Sequence, residues 1–310
     1  MRGFRHVVGI VIMAAITCLS GCNHPFRPTQ RVVVVTTLFP QYDFAKHIAG
    51  DYATVKLLVP PGVEPHHFEP TPKDIIQIQT ADLFILTHPS MEPWAMKVAD
   101  TLPKSVGVLN VSQGIRLSVD PDGDPDDGVP AGSVDPHVWL DPILAKKMVD
   151  NITIALCQRD PQHATIYQKN AANYIAKLDR LDRRFKRITS QSTSNTIVLG
   201  GHSAFGYFAK RYGIRVISPY HGFAPDAEPT PKNIASVISQ LKSVHQQVVF
   251  YEELLDPKVA MILSRDTGAT LRLLHGAHNV SKDEMDRHIT YIDIMSKNAD
   301  YLAEALHSCR

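Results

Sequence analysis

The sequence of 310 residues contains only 17 glycines and has neither a GxGxxG nor a GxxxxGK loop. Such loops cradle nucleotide phosphates with backbone N–H groups, so the usual nucleotide-binding motifs are absent. The charges nearly balance, with 32 Lys and Arg against 31 Asp and Glu, and basic residues never run beyond a pair such as Arg183-Arg184. The sequence therefore lacks the basic patch of a nucleic-acid-binding protein, and we expect no nucleic-acid partner.

The motifs of common hydrolases and of cysteine-based metal sites are also missing. The sequence has 4 cysteines, none in a CxxC pair, and contains neither HExxH nor GxSxG. These absences argue against a zinc finger, an HExxH peptidase and an α/β-hydrolase. Whether Cys157 and Cys309 form a disulfide stays open, because two distant thiols guarantee no bridge.

After the N-terminal segment, no apolar run reaches the roughly 18 residues of a membrane-spanning helix. Arg2 and Arg5 precede a short apolar stretch, residues 7–15, and Leu-Ser-Gly-Cys follows at 19–22. This pattern is typical of a secretory signal, which we predict over residues 1–21. The cysteine after Leu-Ser-Gly resembles a bacterial lipobox. It implies lipidation of Cys22, a tether over residues 22–30 and a membrane-anchored, extracytoplasmic protein.

Strand and helix patterns alternate in two separate parts of the chain. Apolar, β-branched runs predict strands at 32–37, 54–59, 83–87, 196–199, 215–218, 247–251 and 270–274. In the first part of the chain, the segments between the strands predict helices over 42–48, 73–80 and 94–101. About fifty residues of helical composition, interrupted at Asp160-Pro161, separate the two parts. A last helix is predicted to begin at the capping box Ser281–Glu284 and to carry an apolar stripe from Met285 to Leu302. We therefore expect an α/β fold with two similar halves on a long helical connection.

A short internal repeat supports the two halves. Residues 69–75 read Glu-Pro-Thr-Pro-Lys-Asp-Ile, and residues 228–234 repeat six of the seven. In both copies threonine is placed to cap a helix that begins at proline.

Histidine, with 15 copies, is the unusual residue of this chain. Several lie where predicted strands end and helices begin: His66, His67, His88, His137, His202, His221, His275 and His278. Open α/β sheets bind ligands at the carboxyl ends of their strands, and imidazole is the commonest metal ligand in proteins. The pattern predicts a metal site assembled from distant loops.

Four motifs carry a resemblance to a known family. They are Glu64-Pro-His66-His67-Phe-Glu-Pro-Thr-Pro72, Asp135-Pro-His137-Val-Trp-Leu-Asp-Pro142, His202-Ser-Ala-Phe-Gly-Tyr207 and Gly222-Phe-Ala-Pro-Asp-Ala-Glu-Pro229. Because these four motifs occur together in this order, the chain resembles the zinc and manganese solute-binding lipoproteins of bacterial ABC importers, known as cluster A-I.

The resemblance implies the fold and the task of the molecule. It implies two Rossmann-like lobes, residues 31–160 and 191–310, each a mostly parallel sheet flanked by helices, joined by a rigid linker helix over 161–190. The expected task is capture of a divalent transition metal between the lobes, and delivery by a monomer to an ABC permease and its ATPase. An enzyme is not expected; a secreted zinc hydrolase and an adhesin are the more distant alternatives.

The resemblance also implies the ligands. The first three fall on His66, His137 and His202, and a histidine in third place resembles the zinc members. The aligned fourth ligand is His275, with His278 as its competitor. His67, His88 and His221 are further candidates. Independently of the resemblance, five carboxylates are candidates to orient imidazoles, the alternative for each being an exposed charge or a helix cap: Glu64, Glu69, Asp141, Glu252 and Glu253. Imidazoles suit Zn²⁺, which is the expected metal, with Mn²⁺ or iron as the alternative.

Overall fold

The computed structural model describes residues 31–120, 130–220, 222–223 and 229–307. The strands of this part of the chain are β1 (Val32–Thr36), β2 (Ala53–Leu57), β3 (Leu83–Leu86), β4 (Gly107–Asn110), β5 (Val119–Asp120), β6 (Ser133–Val134), β7 (Thr196–Leu199), β8 (Arg215–Ile217), β9 (Val248–Tyr251) and β10 (Thr270–Leu273). The α-helices are α1 (Phe39–Ala49), α2 (Pro72–Gln79), α3 (Pro93–Ala99), α4 (Pro142–Arg159), α5 (Ala164–Gln191), α6 (Gly206–Tyr212), α7 (Pro231–Ser243), α8 (Lys258–Thr267), α9 (Lys282–Asp286) and α10 (Tyr291–His307).

The first sheet has four parallel strands in the order β2-β1-β3-β4. Its side chains alternate between two buried faces, as the period of a strand requires. Val34 and Ile85 enter one hydrophobic cluster, whereas Val35 and Phe84 enter another, to which α2 and α3 contribute. Burial on both faces explains why these strands are nearly continuous apolar runs.

The second sheet is also parallel, with the order β8-β7-β9-β10. Val198 and Val249 face an outer cluster covered by α7 and α8. Ile197 and Phe250 face the other way and belong to the same cluster as Val34 of the first sheet. The two sheets therefore share one continuous core. Two parallel sheets flanked by helices, with α5 between them along the chain, confirm the predicted fold class.

The two sheets have the same topology. In each, the first strand in sequence lies between the second and the third, and the fourth lies at an edge. The internal repeat falls at equivalent places, because α2 follows the second strand of one sheet and α7 that of the other. Thr71 and Thr230 cap these helices by accepting hydrogen bonds from the backbone N–H groups of Asp74 and Asn233. Both predicted caps are confirmed.

The helical connection consists of α4 and α5, which break at Asp160-Pro161 as predicted. Leu178, Leu181 and Phe185 of α5 are buried, as their spacing indicates. Contacts group Val32–Arg310 into one compact unit. The division into lobes at residues 160 and 190 stays a prediction.

The prediction of one final helix from Ser281 is wrong. Helix α9 ends at Asp286, and His288 has a φ of 56°, in the left-handed region. A new N-terminus follows, where Thr290 Oγ1 donates to Asp293 Oδ2 over 2.6 Å and Asp293 N donates to Thr290 Oγ1 over 3.1 Å. This second capping pair starts α10 and explains the break.

In the part of the chain that the structure describes, no helix combines the length and the apolar character needed to cross a membrane.

Candidate metal centre

Four histidine side chains meet at one place among the described residues. His66, His137, His202 and His278 each offer one ring nitrogen, and these atoms all lie within 4.8 Å of one another. The ring centroids are nearly equidistant, since their pairwise separations run from 5.0 to 5.8 Å. Four nearly equidistant rings approximate a tetrahedron.

Three of these histidines come from loops at the carboxyl ends of parallel strands. His66 lies in a short 3₁₀ turn, Pro65–His67, after β2, while His202 follows β7 and His278 follows β10. His137 lies between β6 and the start of α4. Strands of both sheets thus deliver ligand candidates to one crevice, as expected for open α/β sheets.

Buried carboxylates lie beside the Nδ1 atoms of three of the four rings, and those of Asp135 and Glu253 are hydrogen-bonded to them. The distances are 2.8 Å from His137 to Asp135 Oδ1, 2.6 Å from His202 to Glu252 Oε2 and 3.1 Å from His278 to Glu253 Oε1. A carboxylate at Nδ1 places the proton of a neutral imidazole there. The lone pair of Nε2 then faces the cluster, which is the arrangement of metal-binding histidines.

Burial keeps two of these four rings uncharged. Desolvation, helped by the neighbouring histidines, lowers the pKa of His66 to about 2 and that of His137 well below its ordinary value. Around His202 desolvation is again the largest single effect and acts in the same direction, but the carboxylates of Glu252, Glu253 and Glu64 together outweigh it and raise the pKa. Burial also raises the pKa of Asp135 to about 7. Two rings therefore present free lone pairs over the whole physiological pH range.

Two ring nitrogens on the inner side of the cluster, Nε2 of His66 and Nε2 of His278, are buried and have no hydrogen-bond partner within the described ranges. Leaving a buried polar atom unpaired costs about 1–3 kcal/mol, so such atoms need a reason. A ligand that accepts both lone pairs supplies that reason.

His275, aligned as fourth ligand from the resemblance, lies outside the four-histidine cluster. Its Nδ1 accepts a hydrogen bond from the backbone N–H of Ala277 over 2.9 Å, which leaves the proton on Nε2. That Nε2 lies 3.6 Å from Glu284 Oε1. The ring is thus turned toward a carboxylate, and the structure brings His278 to the cluster instead.

The remaining predicted residues fall at different places. His67 is exposed beside the cluster, with its Nδ1 3.4 Å from Glu64, and His88 is half-buried with its Nδ1 3.0 Å from Ser90 Oγ. Glu252 and Glu253 contact cluster histidines. Glu64 and Asp141 cap the turn at Pro65–His67 and helix α4, and Glu69 is exposed. His221 and Cys22 lie outside the described residues.

Sequence reasoning missed Asp135 as an orienting group. Its carboxylate accepts from the backbone N–H of His137 over 2.9 Å as well as contacting the ring. The signal was present, because an aspartate two residues before a candidate ligand can reach both groups of that histidine.

Chemically, four imidazoles backed by carboxylates suit a tetrahedral divalent ion. Zn²⁺ accepts nitrogen ligands in this geometry, whereas Mg²⁺ and Ca²⁺ prefer oxygen. Asp135, Glu252 and Glu253 supply negative charge beside a cation. Four protein ligands leave no open coordination position, so the arrangement favours holding an ion over activating water.

The chain matches known proteins along most of its length. The family model described as "Zinc-uptake complex component A periplasmic" matches residues 34–305. The chain is 40% identical over 279 residues to the high-affinity zinc uptake system protein ZnuA of Bacillus subtilis, which covers 88% of this chain and 87% of that protein.

Streptococcus pneumoniae provides two further matches. The zinc-binding lipoprotein AdcA is 33% identical over 304 residues, which covers 95% of this chain and 60% of that protein. The crystal structure of the Zn(II)-bound ZnuA-like domain of AdcA superposes with a TM-score of 0.76 at 33% identity, over 89% of this chain and 99% of that domain. Since the family model spans nearly all of the described residues, the chain belongs to the family of periplasmic component A proteins of zinc-uptake complexes.

Proposed function

We propose that this protein captures Zn²⁺ outside the cytoplasm and delivers it to an ABC importer. The observation that carries the proposal is the group of four histidines whose ring nitrogens lie within 4.8 Å of one another. Family membership and the zinc-related names of the relatives support the same cargo.

The proposed ligands are His66, His137, His202 and His278. A tetrahedral zinc ion with Zn–N bonds of about 2.0–2.1 Å separates its ligand nitrogens by about 3.3 Å. The Nε2 atoms of His137 and His202 are 3.4 Å apart, so this pair needs almost no movement. His278 takes the fourth position, because its free Nε2 faces the other three rings while His275 faces Glu284.

Zinc is proposed over manganese because the site consists of nitrogen atoms. Mn²⁺ prefers oxygen ligands and stands below Zn²⁺ in the general order of affinities. Negative charge from Asp135, Glu252 and Glu253 then balances the cation without entering its coordination shell.

Delivery requires partners and a location. We propose that a monomer presents the loaded crevice to a permease, which a cytoplasmic ATPase drives. We also propose that a lipid on Cys22 keeps the protein at the membrane. Mass spectrometry of the mature N-terminus tests this point, because a Cys22→Ala variant should lose the lipid and enter the soluble fraction.

Metal analysis of the purified mature protein, followed by X-ray absorption at the zinc edge, tests the cargo and the ligands. We expect one zinc per chain with four nitrogen ligands, and competition titration should show tighter binding of zinc than of manganese. Three protein ligands with a bound water, together with peptide or ester hydrolysis, would establish a hydrolase instead. A protein that binds no zinc would refute the proposal.

A further inference from the structure

Asn279 stands next to the proposed ligand His278 and is completely buried. Its Nδ2 donates hydrogen bonds to the backbone carbonyls of Pro60 over 2.7 Å and Val63 over 2.9 Å. Its Oδ1 accepts from the backbone N–H of Val280 over 2.9 Å. Both ends of the amide are therefore used, and both donor bonds leave its own loop.

These bonds connect the two loops that carry His66 and His278. Pro60 and Val63 belong to the segment between β2 and the turn at His66, whereas Asn279 belongs to the segment after β10. A backbone bond from Gly62 N to Val280 O, 2.8 Å long, runs beside the amide. The loop of the second sheet is thus fastened to the loop of the first.

The other side of the His278 loop is held by its own half of the molecule. Glu253 Oε2 accepts from Gly276 N over 2.6 Å, and Asn298 pairs with the backbone N–H and carbonyl of His275. His278 consequently lies between two sets of hydrogen bonds: those of Glu253 and Asn298 on one side, and those of Asn279 on the other. The bonds of Glu253 and Asn298 fix the His278 loop relative to the second sheet and α10. The bonds of Asn279 fix the distance between the His278 loop and the His66 loop.

We propose that Asn279 is a positioning residue for metal capture, which holds the His66 and His278 loops at their bonding separation before the ion arrives. This proposal rests on the proposed zinc binding. A site whose ligands are already placed loses less conformational freedom when the ion binds, and it binds more tightly for that reason. A carboxylate cannot replace the amide, since the substitution Asn279→Asp would leave no side-chain N–H for the two carbonyl oxygens.

The chain offers a matched control in Asn151 of α4. Its Nδ2 also donates to two loop carbonyls, those of Val111 over 3.0 Å and Gln113 over 2.9 Å. That loop follows β4, the strand of the first sheet that is equivalent to β10, and it carries no histidine of the cluster. Asn151→Asp therefore removes the same bonds from an equivalent loop without touching the site.

The test compares wild type, Asn279→Asp, Asn279→Ala and Asn151→Asp, each checked for folding by circular dichroism. Zinc affinity is measured by competition with a chelating dye, and coordination is followed by the visible spectrum of the Co²⁺-loaded protein. Both Asn279 variants should bind zinc about 10- to 100-fold more weakly, the usual effect of losing an outer partner of a metal site. Their Co²⁺ bands should lose tetrahedral intensity, while Asn151→Asp keeps the affinity and spectrum of wild type.

Each other outcome counts against the proposal. Folded Asn279 variants with wild-type affinity and spectrum would overturn it. If both fail to fold while Asn151→Asp folds, Asn279 serves the fold rather than the site, and the proposal is overturned as well. Failure of the wild-type protein to bind zinc is a separate result, which refutes the proposed function.

Discussion

Gly201 lies so close to Glu252 that a Cβ atom at position 201 would stand 1.7 Å from Oε1 of that carboxylate. Glu252 Oε2 in turn lies 2.6 Å from Nδ1 of His202. Any side chain at position 201 would have to displace the group that orients this proposed zinc ligand. Glycine at position 201 therefore leaves the space that Glu252 occupies beside His202.

Gly201→Ala should weaken zinc binding. The new methyl group pushes Glu252 away from His202, and losing such a carboxylate partner costs about 10- to 100-fold in metal affinity. Dye competition measures the effect. Glu252→Ala, alone and combined with Gly201→Ala, is the control: once the carboxylate is gone, the alanine at 201 should cause little further loss. An equal loss in both backgrounds would contradict this explanation.

Replacing His278 and His275 separately tests the fourth ligand. His278→Ala removes a nitrogen from the cluster, so zinc affinity should fall more than the 10- to 100-fold typical of outer partners. His275→Ala should cost less, because its ring faces Glu284. His163→Ala is the neutral control, because His163 is not one of the four cluster histidines and its Nδ1 lies 2.7 Å from Asp160 Oδ2. A larger loss for His275→Ala than for His278→Ala would restore His275 as the ligand.

The choice of the fourth ligand could not be predicted from the sequence. His275 and His278 share one loop, and Ala277 between them has a φ of 56°, in the left-handed region that non-glycine residues rarely adopt. This backbone turn and the bond from Ala277 N to His275 Nδ1 decide which ring faces the crevice. Neither leaves a signal in the residue pattern. By contrast, His66, His137 and His202 stand in recognisable motifs, and the structure brings all three together.

Strands were predicted correctly from the sequence where the run of residues is continuously apolar or β-branched. Strand β7 has the predicted bounds because Thr196–Leu199 is buried along its whole length. Strand β4 was missed, since Gly107–Asn110 has only two apolar residues between a glycine and an asparagine. Pairing with β3 makes it a strand, and such tertiary context lies outside local propensity.

Zinc should stabilise the folded protein, and its removal should lower the melting temperature. An ion that binds only the folded state contributes about 2.7 kcal/mol when its free concentration is 100 times the dissociation constant. Thermal unfolding with added zinc and with a chelator measures this shift, which His278→Ala should reduce. An unchanged melting temperature at saturating zinc would contradict binding to the folded state.

Asp182 of α5 gives a prediction for pH that does not involve the metal. Its carboxylate accepts from Arg211 Nε over 2.8 Å and from Tyr212 over 3.0 Å, and Lys186 Nζ lies 3.0 Å away. Burial opposes the charge, but these donors outweigh it and lower the pKa below its ordinary value of 3.8. A lowered pKa in the folded state means that the ionised carboxylate stabilises the fold above pH 3.8. This contribution is lost as the pH falls through the pKa of the folded state.

Asp182→Asn should therefore reduce the free energy of unfolding at pH 7 by about 1.5–3 kcal/mol, the value of hydrogen bonds to a charged group. The difference from wild type should shrink in urea titrations below pH 3.8, where protonation removes the charge from wild type too. Asp179→Asn is the control on the same helix, because its pair with Lys146 is partly exposed and contributes at most about 1 kcal/mol. A difference that persists unchanged at low pH would mean that Asp182 acts through packing, and the ion pair to Arg211 would then have no part in holding α5 against α6.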